Sequence, residues 1–220
     1  MVEKKVYIIT AILALAIFLV GFMSGYSVLN MQIEQFRLGM EKNELEMRNL
    51  QLEMLFLGTL EEERFCSYLG SRLDTVYANT AELGKKLVDS EMMGKEQSEI
   101  LARRYFLALI QGWIFSREFV QKCDATRIDA LYFYSKGCNT CVQQGYILDY
   151  LVDKDKTRNI HIYSLDRDVN EPIIQVLAEN FNITATPALV INEIVYSGFR
   201  DREFLIQKFC SIDANLTFCA

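Results

Sequence analysis

Cys138-Asn139-Thr140-Cys141 holds two thiols two residues apart, a spacing at which one sulfur can attack a disulfide and the other resolve the product. Upstream, Ala130-Leu131-Tyr132-Phe133-Tyr134-Ser135 reads as a buried strand. Lys136-Gly137 follows as a short turn, and Val142 to about Asp153 is helix-compatible. The first sulfur therefore falls at a strand-to-helix junction, where the unpaired N–H groups of a helix start favour a thiolate. Cys138 is the expected nucleophile. The helix start, helped by Lys136, draws its pKa toward the range of about 3.5–7.5. Cys141, one turn further in, is the expected resolving thiol.

Composition narrows the alternatives. The 220 residues carry a net charge of −6, with no basic stripe to neutralise phosphates, so nucleic acid is not an expected partner. A single histidine, His161, argues against a His-rich metal site and against a Cys–His hydrolase pair. Flanked by Ile160 and Ile162, it reads as an ordinary solvent-facing strand residue. Zinc held by Cys138 and Cys141 together with Cys210 and Cys219 is disfavoured. Eight residues separate the second pair, and a helix start is a poor place for half a zinc site. No metal is expected, and no nicotinamide or flavin motif is present, so no cofactor is expected and the chain does not recycle itself.

The compartment follows from the N-terminus. Val6 to about Leu29 contains no charged residue, long enough for a membrane-spanning helix, which needs about 20 apolar residues. Lys4 and Lys5 precede the run, and no positive excess follows it. The positive-inside bias puts residues 1–5 in the cytoplasm, a transmembrane helix at 6–29, and the remainder outside. A cleaved signal peptide is the competing reading, although Phe22/Ser24 and Met23/Gly25 fit a small-x-small cleavage rule poorly. Either way the six cysteines end up outside the cytoplasm, in a compartment where disulfides persist.

Residues 30–58 favour helix. Ile33, Phe36, Met40, Met47, Leu50, Met54 and Leu57 recur at spacings of three and four, with Asn43 in the gap. This is the pattern of a coiled-coil stalk able to form a homodimer through residues 33–57. Leu38, Leu45 and Leu52 make a second apolar line, so a helix buried within its own chain remains an equal reading. Residues 59–123 read as a helical hairpin, with helices at Leu60–Ser90 and Lys95–Lys122 and Trp113 in the core. Cys66 and Cys123 lie symmetrically about a turn near Gly94, which places them together at the hairpin base as a Cys66–Cys123 disulfide. A Cys210–Cys219 disulfide would pin the tail, residues 213–220, to the last helix. Buried free thiols are the alternative for Cys66 and Cys123.

Beyond the Cys-x-x-Cys helix, Ile160–Leu165 reads as a strand and Glu171–Phe181 as a helix, with Asn170 as N-cap and Pro172 in its first turn. Ala188–Ile191 and Ile194–Tyr196 read as a hairpin through Asn192-Glu193. Gly198 marks a break, and Arg202–Cys210 is a last helix. Pro187 opens an otherwise strong strand, where it removes a ladder donor.

Cys138-Asn139-Thr140-Cys141 after the first strand, Thr186-Pro187 before the hairpin and Gly198 after the last strand together resemble the thioredoxin superfamily. The resemblance covers about residues 127–212 and nothing in 30–122. It implies an α/β thioredoxin-like fold, with a central mixed sheet of about four strands flanked by helices, preceded by the transmembrane helix and the helical segment. It implies a cis Thr186–Pro187 bond facing the sulfurs, where an ordinary trans proline is the alternative. It also implies a protein thiol–disulfide oxidoreductase whose partners are proteins with thiols or disulfides and a membrane or extracytoplasmic redox protein. A non-catalytic assembly module with a fixed Cys138–Cys141 disulfide is the alternative function. The chain departs from the family at Gly137, where thioredoxins proper carry tryptophan, and at Tyr132, where many carry a buried acid. Neither proline nor histidine lies between its cysteines. These differences bear on the direction of electron flow rather than on the reaction class.

Overall fold

Alternation along the strand before the cysteines sets the layering. In the computed structural model, which describes residues 12–26, 45, 49, 52, 53, 55–89 and 95–219, strand β1 is Ile128–Tyr134. Ile128, Ala130 and Tyr132 enter one core, and Leu131 and Phe133 enter another. A strand buried on both faces has to lie inside a covered sheet. β1 pairs in parallel with β2 (Ile160–Asp166) and antiparallel with β3 (Ala188–Ile191). β4 (Ile194–Ser197) pairs antiparallel with β3, giving the order β2-β1-β3-β4.

Among the described residues after Leu60 the helices are α1 (Glu62–Val88), α2 (Lys95–Lys122), α3 (Asn139–Lys154), α4 (Pro172–Asn180) and α5 (Arg202–Ile212). On one face Phe106, Ile110 and Trp113 of α2, with Ile174 and Leu177 of α4, pack on Leu131, Phe133 and Leu165. On the other, Cys141, Leu148 and Leu151 of α3, with Leu205 and Phe209 of α5, pack on Tyr132, Leu189 and Ile191. A mixed four-stranded sheet between helices, in this strand order, is a thioredoxin-like α/β arrangement. The hairpin and sheet together form one compact unit, Glu61–Ala220, and the residues before it form another, Met1–Leu60.

The disulfides pair Cys66 with Cys123, at a Cα–Cα distance of 5.6 Å, and Cys210 with Cys219, at 5.5 Å. In the N-terminal unit residues 12–26 are helical, with Ile17, Phe18 and Phe22 exposed. No helix among the described residues is long and apolar enough to cross a membrane; residues 6–11 and 27–29 of the expected span lie outside them. Most of the expected 33–57 seam, including Ile33, Phe36, Met40, Met47, Leu50 and Met54, also lies outside them.

Three local expectations are corrected. Helix α3 begins at Asn139 rather than Val142, because Cys138 itself serves as its N-cap. Helix α4 is capped by Glu171, not Asn170, without a side-chain cap bond; the Glu171 carboxylate is turned to Arg103 on α2 instead. His161 does not face open solvent. Its ring stacks on Tyr77 of α1, with centroids 4.5 Å apart, and its Nε2 meets the Arg127 guanidinium.

That environment gives His161 a pH signature. Burial, then the neighbouring Arg127 charge, pushes its pKa down to about 4 from the ordinary 6.5. The folded chain therefore resists protonating His161. The stability held by the neutral ring is complete above pH 6.5 and is lost as pH falls through 6.5 toward 4, on the order of 3 kcal/mol at about 1.36 kcal/mol per unit. Urea titrations of the wild type and His161→Gln should diverge across that interval, with the wild type losing stability relative to the variant as pH falls. A constant difference between the two would refute the assignment.

Candidate active site

A helix start supplies the first requirement for thiol chemistry, and here the cap residue is the cysteine. Cys138 has extended backbone angles (φ −86°, ψ 100°), and its Sγ accepts the backbone N–H of Cys141 at 3.1 Å. Capping oxygens of Ser, Thr or Asp usually fill this role. A sulfur placed there receives a helix-start N–H directly, and as a thiolate it would gain from the positive end of the helix dipole. The Thr140 hydroxyl lies 3.4 Å from the same sulfur. Gly137 adopts φ +73°, a left-handed turn that glycine accommodates without strain and that brings the chain from β1 into the helix.

Cys138 and Cys141 form a disulfide, Cα–Cα 5.2 Å, with Cys141 buried and Cys138 half-buried. Of the two sulfurs, that of Cys138 is the more exposed. Beneath the pair, the Tyr132 hydroxyl donates to the Cys141 carbonyl at 2.5 Å. Burial, reinforced by the charge of Asp149, pushes the Tyr132 phenol up to about 12, so near neutral pH it orients the helix start and does not accept a proton.

Thr186–Pro187 is cis. Its loop is tied to the loop before Cys138 by the Thr186 hydroxyl, which donates to Ser135 Oγ at 3.0 Å. The Pro187 carbonyl in turn accepts the Gly198 N–H at 2.8 Å, where Gly198 takes φ +80°. Lys136 is exposed, and its backbone N–H donates to Asp168 Oδ2 at 2.7 Å. Buried Asp166 has its pKa raised by desolvation, opposed by the Asp168 N–H and by Lys136.

Gln144 was not singled out in the sequence. Fully buried on α3, its Oε1 accepts the Arg200 N–H at 2.7 Å and so ties the active-site helix to the loop after β4. The signal was available, since Gln144 is the one amide on a stripe otherwise made by Cys141, Leu148 and Leu151. Among the described residues no group of His, Cys, Asp or Glu side chains is placed to hold a metal ion.

No family model matches the chain, and no curated protein does. Solved structures do. A thioredoxin-2 of the malaria parasite is 23% identical over 39% of this chain and 82% of that one, with a TM-score of 0.33. A thioredoxin-like protein from Clostridium perfringens is 15% identical over 46% of this chain and 82% of that one, at 0.36. Chloroplastic thioredoxin z is 16% identical over 46% of this chain and 90% of that one, also at 0.36. The fold assignment rests on the strand order and helix placement. What the chain presents is a thioredoxin-like α/β fold with a Cys-x-x-Cys disulfide at a helix N-terminus.

Proposed function

We propose that the protein is a membrane-anchored, extracytoplasmic thiol–disulfide oxidoreductase acting on protein disulfides through Cys138 and Cys141. The observation that carries this reading is the Cys138 sulfur at the N-cap of α3, accepting the Cys141 N–H, beside a buried second sulfur. The Cys138 thiolate attacks one sulfur of a substrate disulfide. A Cys138–substrate S–S bond forms, the substrate bond breaks, and the other substrate sulfur leaves as a thiolate. The Cys141 thiolate then attacks Cys138 Sγ and releases the second substrate thiolate. Two electrons pass to the substrate, and the Cys138–Cys141 disulfide remains. A dithiol protein of the membrane or the extracytoplasmic space restores the pair, and the reverse sequence oxidises a substrate dithiol.

The anchor is the apolar run at 6–29, with residues 1–5 cytoplasmic, and a second copy pairs through residues 33–57. A second reading, a non-catalytic module with a fixed disulfide, is favoured by one observation. Tyr132 stands beneath the cysteines, and its phenol is too weak an acid to relay the Cys141 proton at neutral pH.

Two measurements on the full chain separate these readings. In intact cells, after mild reduction, a membrane-impermeant maleimide is expected to label Cys138; labelling only after lysis would reverse the orientation. Purified in detergent, the chain is expected to accelerate insulin reduction by dithiothreitol. Absence of any acceleration leaves the fixed-disulfide module as the function.

A further inference from the structure

The end of the sheet opposite the disulfide carries a second concentration of polar side chains, and thiol exchange uses none of it. Arg127, immediately before β1, lays its guanidinium over the rings of Tyr77 and Phe119, 5.4 and 5.8 Å from their centroids. Its Nη2 donates to the Tyr77 hydroxyl at 3.3 Å and to His161 Nε2. Both partners are neutral near pH 7, because burial lowers the His161 pKa and raises that of Tyr77. Buried Asp129 turns its Oδ1 to the Ser116 hydroxyl at 2.8 Å and the Tyr163 hydroxyl at 3.1 Å, and it feels the Arg127 charge without contacting it. Among the described residues no carboxylate forms an ion pair with Arg127, and its buried Nε has no acceptor. A buried guanidinium Nε–H without an acceptor is costly, and an acceptor supplied from outside would relieve that cost.

A cavity of about 730 Å³ opens beside this cation, between α1, α2 and the start of β2. Its volume lies within the roughly 300–1,000 Å³ of small-molecule sites. Tyr77, Tyr105 and Tyr163 give it aromatic walls, and Leu109 and Ile160 add apolar surface. The charged side chains lining it are Arg127, Arg158 and Asp74. Two lining cations face one lining carboxylate, and the Asp129 and Asp155 charges act on Arg127 and His161 from behind the wall, a balance that opposes a dianion. A flat apolar body suits the rings, and a planar carboxylate matches the guanidinium fork.

The geometry points to a binding site for a small organic acid, a carboxylate on a flat apolar body, between Arg127 and the tyrosine-lined wall at the end of the sheet far from Cys138. The seven residues of β1 separate the two sites by about 20 Å at roughly 3.3 Å per residue, so the ligand is not a substrate of the cysteines. The site stands independently of any redox activity.

The test uses the purified full chain and 2-naphthoate as probe, with binding read by ligand-observed NMR. Saturable binding is expected, and the neutral 2-naphthamide should bind at least tenfold more weakly. Arg127→Met should weaken 2-naphthoate at least tenfold. Because Arg127 also braces Tyr77 and His161, a second variant guards against misfolding. Ala81→Trp, on the exposed wall contributed by α1, keeps every charge and fills the cavity, and should weaken binding by a similar factor. Equal affinity for the amide, or undiminished binding by Ala81→Trp, would overturn the proposal. So would displacement of 2-naphthoate by inorganic phosphate at equal concentration, which would reveal a general anion site.

Discussion

Replacing Cys141 with alanine is expected to convert the protein into a trap: Cys138 still attacks, no resolving thiolate follows, and mixed disulfides with client proteins accumulate on non-reducing gels. Replacing Cys138 with serine should abolish both the adducts and insulin reduction, with a rate loss of roughly a thousandfold or more, because a hydroxyl at the helix cap is a far weaker nucleophile than a thiolate. The asymmetry follows from burial. Cys141 is nearly sealed, at 3% exposure, whereas Cys138 is accessible and holds the cap position. In the reduced wild type, iodoacetamide should therefore modify Cys138 well before Cys141. Equal reactivity of the two thiols, or adducts that persist in Cys138→Ser, would remove Cys138 from the role of nucleophile.

Loss of the hairpin staple carries the second large effect. Cys66 and Cys123 close a loop with a sequence separation of 57, and Cys210 and Cys219 one with a separation of 9. In the chain-entropy account the first constrains the unfolded chain by about 4 kcal/mol and the second by about 2.5 kcal/mol, both upper figures. Cys66→Ala/Cys123→Ala should therefore lower the unfolding free energy more than Cys210→Ala/Cys219→Ala. The paired removal matters, since a single substitution leaves a reactive thiol behind. Denaturant titration with the active-site pair intact measures both. A smaller loss for the hairpin pair than for the tail pair would contradict the loop-closure origin of the staple's contribution.

The local chemistry was written locally. Two cysteines at a strand-to-helix junction, a proline opening an apolar strand and glycines at turns are signals carried by a few adjacent residues. Backbone sterics and helix-start N–H groups act over that same range, so the Cys138–Cys141 pair at a helix start and the cis Thr186–Pro187 bond could be read in the sequence. Element order was legible for a related reason, since hydrophobic periodicity states that a face is buried. Periodicity does not say what buries it. The packing of α2 on the sheet against Leu131 and Phe133 emerges only when the chain is closed. So does the placing of Tyr77 of α1 against His161 of β2, far apart in the chain. Gln144 meets Arg200 and Tyr132 meets the Cys141 carbonyl because two elements were brought to the same edge of the site. The sequence by itself determined the Cys138–Cys141 pair at a helix start and the cysteine pairings available to a hairpin. Only the tertiary structure decided that Gln144 holds the Arg200 N–H, that His161 lies against Tyr77 and that the Arg127 Nε is left without an acceptor, because burial and electrostatic environment are sums over neighbours distant in the chain.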